Sequence, residues 1–185
     1  MRGLTVWLTG LPSAGKTTIA NAVAEQLDGP VQVLDGDEIR EFLSNGLGFT
    51  KADRDTQVLR VGWVAKTLAT HGVTVLASLV SPYADARDKV RALHGEAGVD
   101  FYEVHVATPV EVTRERDVKG LYARAYAGEI ENFTGVQDPY EAPVSPDLRI
   151  DTQHETVAES AARVLELIHP TTALRAAAGT PKETR

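Results

Sequence analysis

The segment Gly10–Thr17, which reads GLPSAGKT, constrains the fold of this chain more than any other part of its sequence. It matches the pattern G-x-x-x-x-G-K-[S/T]; the apolar, β-prone run Leu4–Leu8 precedes it, and the helical pattern Thr17–Leu27 follows it. In such a strand–loop–helix unit, backbone N–H groups of the loop and the start of the helix surround phosphate oxygens. The sequence therefore predicts a nucleoside triphosphate site formed by Gly10, Leu11, Pro12, Ser13, Ala14, Gly15, Lys16, Thr17 and Thr18.

Two side chains of this phosphate loop have predicted chemical roles. Lys16 is expected to reach the β- and γ-phosphates, and the Thr17 hydroxyl is expected to ligate Mg²⁺. A GTPase would need a guanine-reading N-K-x-D element, which the sequence lacks. A motor ATPase usually has an apolar strand that ends in an acidic residue, whereas the apolar run Val73–Val80 continues into Ser81 and Pro82. These features favour a small kinase that uses ATP and Mg²⁺.

The rest of the chain alternates between strand-like and helix-like segments. Such alternation predicts an α/β fold in which a doubly wound parallel sheet has helices on both faces. The nearly continuous apolar run Val73–Val80 predicts a central strand buried on both faces. Asp37 is expected at the N-cap of a short helix. Further strands are predicted at 31–34, 101–106 and 148–150, and helices at 38–43, 53–69, 83–94, 109–116 and 156–168.

The length of the chain, 185 residues, is that of one ordinary domain. We expect a single P-loop kinase domain over residues 1–170 and a flexible C-terminal tail over 171–185. Between 117 and 146 the apolar periodicity fades, and Gly, Pro, Asn and charged residues dominate. This stretch is interpreted as a lid over the active site.

The charge balance limits the partners of this chain. With 26 Asp and Glu against 19 Lys and Arg, the formal net charge is −7, which argues against binding to nucleic acids or to anionic membranes. An anionic ligand therefore needs a local cationic pocket. The sequence has no cysteine, which excludes disulfides and thiolate metal sites. Because it also has no apolar run of about 18 residues and no secretory pattern, a cytoplasmic location is expected.

Several short motifs follow the phosphate loop in a fixed order. They read LDGD at 34–37, LGF at 47–49, DR at 53–54, VSPY at 80–83, RDVKGLY at 116–122, AGEI at 127–130, FTG at 133–135 and DPYEAP at 138–143. One such motif is weakly diagnostic, but the ordered set resembles the adenylyl-sulfate kinases from Leu4 to about Asp151. The resemblance implies transfer of the ATP γ-phosphate to the 3′-hydroxyl of adenylyl sulfate, with adenylyl sulfate as the small-molecule partner, and it suggests a homodimer.

The resemblance also implies roles for individual residues. Asp37 would accept the proton of the attacking hydroxyl or organise the hydration of Mg²⁺, although a simple helix cap is the competing interpretation, and Asp35 is expected to be structural. Arginine suits sulfate and phosphate because its donors form a fork. The predicted catalytic residues are Lys16 and Asp37; the predicted acceptor-binding residues are Asp37, Arg40, Phe49, Arg54, Gln57, Val80, Ser81, Lys119 and Phe133, and Arg116 is expected near the adenine of ATP.

Three positions depart from the pattern of the resembled family. Gln57 stands where an asparagine is usual, and Leu59 and Ala84 stand where arginines are usual. These departures support an alternative, a sister kinase that phosphorylates another hydroxyl, for example on a related nucleotide or a specialised metabolite. A nucleotide sensor without catalysis is a third possibility, but such a protein would have no chemical need for Lys16, Thr17 and Asp37 together.

Overall fold

The structure is a computed structural model that describes residues 3–178 of the chain. Its helices and strands alternate along most of the chain, as the sequence predicts. In chain order they are β1 (Leu4–Thr9), α1 (Lys16–Ala24), β2 (Val31–Asp35), α2 (Gly36–Phe42), α3 (Lys51–Thr70), β3 (Thr74–Ser78), α4 (Ala84–Glu96), β4 (Asp100–Val106), α5 (Val110–Arg116), α6 (Leu121–Tyr126), β5 (Leu148–Ile150) and α7 (Val157–Ala178).

The five strands form one parallel sheet in the order β2-β3-β1-β4-β5, which confirms the predicted fold class. The register pairs Leu8 and Asp35 with Ser78, so the carboxyl ends of β1, β2 and β3 lie side by side. The run 73–80 contains β3, which lies inside the sheet between β2 and β1 and is largely buried, as predicted, although the middle strand of the five is β1. Both β1 and β3 are buried apolar strands, and burial alone does not determine which of them lies in the middle.

Helices pack on both faces of the sheet because the residues of β1 alternate between the faces. Leu4, Val6 and Leu8 point into one apolar core, which they share with α1 and α7. Trp7 points into the opposite core, which is formed with α3 and α4. This burial on two faces holds the end of β1, and with it the phosphate loop, in a fixed position.

Several boundaries differ from the sequence predictions by one or more residues. The N-cap of α2 is Asp35, not Asp37, because the Asp35 carboxylate accepts hydrogen bonds from the backbone N–H groups of Asp37 and Glu38. Helix α3 starts at Lys51, earlier than predicted, with Thr50 as its cap. Helix α7 continues past Ile168 to Ala178, so residues 171–178, predicted to belong to a flexible tail, are helical. The rest of that predicted tail, 179–185, lies outside the described residues.

No helix within residues 3–178 combines the length and the apolar character that a membrane span requires.

Candidate active site

A cavity of about 470 Å³ opens at the carboxyl ends of β1, β2 and β3, where parallel α/β sheets usually bind ligands. Its wall is formed by the phosphate loop with the start of α1, by the β2–α2 turn with Arg40 of α2, by Phe49 and the start of α3, by the β3–α4 turn and by the lid. Its lining includes the predicted site residues Pro12, Ser13, Gly15, Lys16, Thr17, Thr18, Asp37, Arg40, Phe49, Arg54, Gln57, Val80, Ser81, Lys119 and Phe133.

Two glycines shape the phosphate loop. Gly10 lies so close to β4 that a Cβ atom there would be 2.4 Å from the carbonyl oxygen of Val106. Gly15 has φ 99°, a conformation that residues with a side chain rarely adopt, and it directly precedes α1. The loop can therefore turn its N–H groups towards a phosphate only with glycine at these positions.

Lys16 lies folded back over this loop. Its ammonium donates hydrogen bonds to the carbonyl oxygens of Gly10, at 3.0 Å, and Leu11, at 2.8 Å. Burial lowers the pKa of Lys16 to about 8, while the carboxylates of Asp37 and Asp35 act in the opposite direction. A buried ammonium held only by neutral carbonyls gains most from an anionic partner, so Lys16 is well placed to receive phosphate oxygens.

Three side-chain oxygens meet at the start of α1. The Thr17 hydroxyl donates to the Asp35 carboxylate at 2.5 Å and lies 2.9 Å from the Ser78 hydroxyl. Mg²⁺ prefers oxygen ligands and is usually held by one or two protein groups plus phosphates. The donor set therefore fits Mg²⁺, with Thr17 as the predicted ligand and Asp35 beside it. The Thr17 hydrogen bond, together with that to the N–H of Asp37, also contributes to lowering the pKa of Asp35 against the effect of burial.

Asp37 is free for chemistry because Asp35 takes the capping role. Its side chain is 67% exposed, and its carboxylate forms an ion pair with Lys119 of the lid. This contact raises the pKa of Lys119. The carboxylate of Asp37 also acts electrostatically on Lys16 and on Arg40. Asp37 therefore lies between Lys16 of the phosphate loop and two further cations of the cavity, Arg40 and Lys119.

Two of the predicted anion-binding residues lie against the ring of Phe49. The guanidinium of Arg40 lies 4.5 Å from the centre of its ring, and that of Arg54 lies 5.3 Å away. The buried Arg54 is held by the carbonyl oxygens of Phe49 and, across the cavity mouth, of Asn132 in the lid. Burial lowers the pKa of Arg54. One aromatic face and two cations are thus presented together, as a nucleotide with anionic groups would require.

Phe133, one of the predicted acceptor-binding residues, is buried inside the lid. It is only 5% exposed and packs edge-on against Tyr122, with ring centres 5.0 Å apart, in a small apolar cluster inside the lid. It also lines the cavity. Phe133 therefore combines a packing role with a position at the site, whereas Phe49 is 41% exposed.

The remaining residues predicted to bind the acceptor are Gln57, Val80 and Ser81. The Gln57 amide donates to the carbonyl of Gly36 at 3.0 Å, just before Asp37. Ser81 has φ 39°, and its hydroxyl accepts from the Trp7 indole at 3.1 Å. Val80 and Ser81 form the wall between β3 and α4.

Arg116 is not among the described residues that line the cavity. Its guanidinium instead donates to the hydroxyl and carbonyl of Thr152, and Thr152 in turn donates to the carbonyl of Ala14 in the phosphate loop. Arg116 is thus connected to the phosphate loop through Thr152 and not through the cavity lining. Two of the three departures are also absent from this lining: Leu59 is 38% exposed on α3, and Ala84 uses its N–H to bind Glu141.

Sequence reasoning missed several residues of the site. Ser78 belongs to none of the sequence motifs, and only the strand register brings it next to Thr17. The apolar lid residues Val118, Leu121 and Ile130 also line the cavity. The motifs 116–122 and 127–130 contain these three residues and were the one available signal for them.

Comparisons with known proteins agree with these observations. The family described as adenylylsulphate kinase matches residues 2–151. An adenylyl-sulfate kinase of Myxococcus xanthus is 51% identical over 178 residues, 95% of this chain and 96% of that protein. One of Deinococcus deserti is 53% identical over 89% of this chain and 90% of that protein. The solved APS kinase of Mycobacterium tuberculosis in complex with AMPPNP and APS superposes with a TM-score of 0.88, at 43% identity over 91% of this chain and 98% of that chain.

Proposed function

This chain belongs to the adenylyl-sulfate kinase family, and on that premise we propose that it transfers the γ-phosphate of ATP to the 3′-hydroxyl of adenylyl sulfate. The observation that carries the proposal is the distribution of charge. In a protein of net charge −7, four cations, Lys16, Arg40, Arg54 and Lys119, line one cavity. Two anionic nucleotides in one site require such a local excess of positive charge.

The phosphate loop would hold ATP. Its N–H groups and the start of α1 bind the phosphates, and Lys16 exchanges its carbonyl partners for β- and γ-oxygens. Thr17, supported by Asp35, would hold Mg²⁺, which neutralises charge on the phosphates when bound. Phosphoryl transfer depends mainly on such positioning and charge stabilisation.

Asp37 would act on the acceptor. The 3′-oxygen forms a bond to the γ-phosphorus, the bond from that phosphorus to the β–γ bridging oxygen breaks, and ADP leaves. The proton of the hydroxyl passes to the Asp37 carboxylate. In the free protein Lys119 occupies this carboxylate, so acceptor binding must displace the ammonium, which can then pair with an anionic group of the acceptor.

The acceptor adenine would lie against Phe49 and Phe133, with Arg40 and Arg54 directed at its sulfate and phosphate. Only one of the three departures, Gln57, belongs to the cavity lining that the structure describes. Its amide binds Gly36 and leaves the cavity cations in place. This geometry favours adenylyl sulfate over the acceptors of a sister kinase.

The test is a direct assay with a matched control. The purified protein is incubated with ATP, Mg²⁺ and adenylyl sulfate, beside adenosine 5′-monophosphate and a panel of sugar hydroxyls, and the phosphorylated product is identified. We expect 3′-phosphoadenylyl sulfate, with adenylyl sulfate strongly preferred. Lys16→Ala should reduce turnover by about two orders of magnitude or more, and Lys89→Ala, at an exposed position on α4, should not. Phosphorylation of another acceptor instead would establish the sister-kinase alternative.

The assembly and location are further parts of this proposal. We infer a homodimer from the family resemblance, and the exposed aromatic side chains Phe42 (79%) and Trp63 (57%) are candidates for its interface. Sedimentation should give twice the mass of one chain; a single-chain mass at micromolar concentration would contradict the dimer.

We also place the enzyme in the cytoplasm, where ATP is available, and cell fractionation tests that location.

A further inference from the structure

Arg87, on α4, is the most completely enclosed guanidinium of the described chain, and it does not line the cavity. Its side chain is 3% exposed and makes three contacts. Nε donates to the Glu103 carboxylate at 2.8 Å, one terminal nitrogen donates to the carbonyl of Ser81 at 2.7 Å, and the other donates to the carbonyl of Glu141 at 2.7 Å. Burying a cation is costly even when its donors find partners. Stability alone therefore does not explain this arrangement.

The first carbonyl belongs to a strained turn in the wall of the acceptor pocket. Ser81 has φ 39°, a left-handed conformation that a residue with a Cβ rarely adopts, and such strain persists only where the surroundings over-determine it. The Trp7 indole donates to the Ser81 hydroxyl, which donates to Thr9, while Arg87 holds the Ser81 carbonyl from the other side. The direction in which Val80 and Ser81 face the cavity therefore depends on Arg87.

The second carbonyl belongs to the C-terminal end of the lid. Glu141 also donates its N–H to the carbonyl of Pro82, and its carboxylate accepts from the N–H of Ala84. The neighbouring Tyr140 hydroxyl lies 3.0 Å from that of Thr9. One guanidinium thus joins the lid end to the same turn that forms the pocket wall.

We propose that Arg87 is a positioning residue for the acceptor nucleotide. Its guanidinium fixes the Ser81 turn and the Glu141 end of the lid relative to each other, and the Glu103 carboxylate holds the guanidinium in place. The proposal rests on the proposed function, because the pocket wall that it organises is the acceptor side. It concerns binding of adenylyl sulfate and not binding of ATP, since none of the three groups that Arg87 contacts belongs to the phosphate loop.

The test uses Arg87→Lys, which keeps the charge but cannot serve both carbonyls and Glu103. We expect the KM for adenylyl sulfate to rise about tenfold, as expected for loss of a buried charge-assisted hydrogen bond, with the KM for ATP and kcat within about twofold of the parent. Arg91→Lys is the matched control, because Arg91 pairs with Glu103 and Asp147 but not with Ser81 or Glu141. It should leave both KM values within about twofold.

If Arg87→Lys does not fold, Glu103→Gln is a milder test of the same contacts. Glu103→Gln retains the acceptor oxygen but removes the anchoring charge, and it should raise the KM for adenylyl sulfate about threefold without changing that for ATP. An unchanged acceptor KM in a folded variant, or an equal rise in both KM values, overturns the positioning role. Failure of the parent protein to phosphorylate adenylyl sulfate is a different result, which removes the proposed function itself.

Discussion

At the scale of single residues, two neighbouring aspartates have separate roles. Asp35 caps α2 and binds Thr17, whereas Asp37, two residues later, projects towards the cavity and Lys119. The sequence motif LDGD does not distinguish a cap from a general base, since aspartate suits both. The hydrogen bonds make the distinction: both oxygens of the Asp35 carboxylate accept hydrogen bonds, from two backbone N–H groups and the Thr17 hydroxyl, whereas the Asp37 carboxylate pairs with Lys119 of the lid.

Replacing Asp37 with asparagine tests this division of roles. Asp37→Asn keeps the size of the side chain but cannot accept a proton, so kcat should fall by about two orders of magnitude or more. Affinity for ATP and the melting temperature should change little, because Asp37 does not cap the helix. Glu38→Gln, in the same turn and exposed, is the control and should keep full activity. A rate close to that of the parent would exclude Asp37 as the base.

The two phenylalanines of the acceptor side should respond differently to truncation. Phe49→Ala removes an exposed ring and should weaken binding of adenylyl sulfate by about 1–3 kcal/mol, the usual contribution of a stacked base, at unchanged melting temperature. Phe133→Ala should weaken the same binding and also lower the melting temperature, because Phe133 packs against Tyr122. Titration calorimetry with each nucleotide and thermal unfolding measure both effects; unaltered acceptor binding in a stable Phe49 variant would contradict the stacking model.

At the scale of elements, the lid has two parts with different attachments. Its first part, 117–137, holds α6 and the apolar cluster of Tyr122, Ala125 and Phe133, and it reaches across the cavity through Lys119 and Asn132. Its last part is tied to β1 through Tyr140, whose hydroxyl meets that of Thr9, and to α4 through Glu141, whose carbonyl accepts from Arg87. The first part is therefore the segment that can move when nucleotides bind.

Amide hydrogen exchange tests this division. With an ATP analogue and adenylyl sulfate both bound, amides of residues 117–137 should exchange at least about tenfold more slowly, because closure excludes water and prevents wasteful hydrolysis of ATP. Amides of 138–143 should change less, and those of β1 should serve as an internal reference that does not change. Equal exchange of 117–137 in the free and doubly bound protein would refute the lid interpretation.

At the scale of the whole molecule, a buried histidine links stability to pH. His105 on β4 lies beside the Tyr140 ring, and burial lowers its pKa to about 4, with the charges of Arg149 and Arg87 acting in the same direction. Burial also lowers the pKa of His94. In the unfolded chain a histidine titrates near 6.5, so between about pH 6.5 and pH 4 the unfolded state binds more protons. Stability from this source is complete above pH 6.5 and is lost as the pH falls towards 4.

Urea unfolding across this pH range measures the effect. The parent should lose stability steadily from about pH 6.5 to pH 4, and His105→Phe, which keeps a ring against Tyr140, should show a flatter profile. His154→Phe, at an exposed position, is the control and should follow the parent. Parallel profiles for the parent and the His105 variant would show that the loss of stability comes from other groups.

Local sequence patterns were sufficient to locate the phosphate loop and to predict most of the fold. Glycines at positions 10 and 15, a lysine and a threonine between a strand and a helix can be read without tertiary information, because the motif and its flanking elements are contiguous in the chain. The alternation of elements likewise determined the parallel sheet. Motifs of a resembled family predicted that Arg40, Phe49, Arg54 and Phe133 bind the acceptor, and the structure brings these four residues to one cavity.

Only the tertiary structure decided what depends on contacts between distant segments. The order of the strands makes β1 central and brings Ser78 to Thr17. The capping hydrogen bonds select Asp35 over Asp37. Arg87, one of several charged residues on a polar helix, carries no sequence signal, and its importance follows from three partners that lie 6 to 54 positions away along the chain. Such roles depend on burial and on the relative positions of side chains. A linear sequence does not contain this information, because a charged residue has the same one-letter code whether its side chain lies in solvent or in the wall of a pocket.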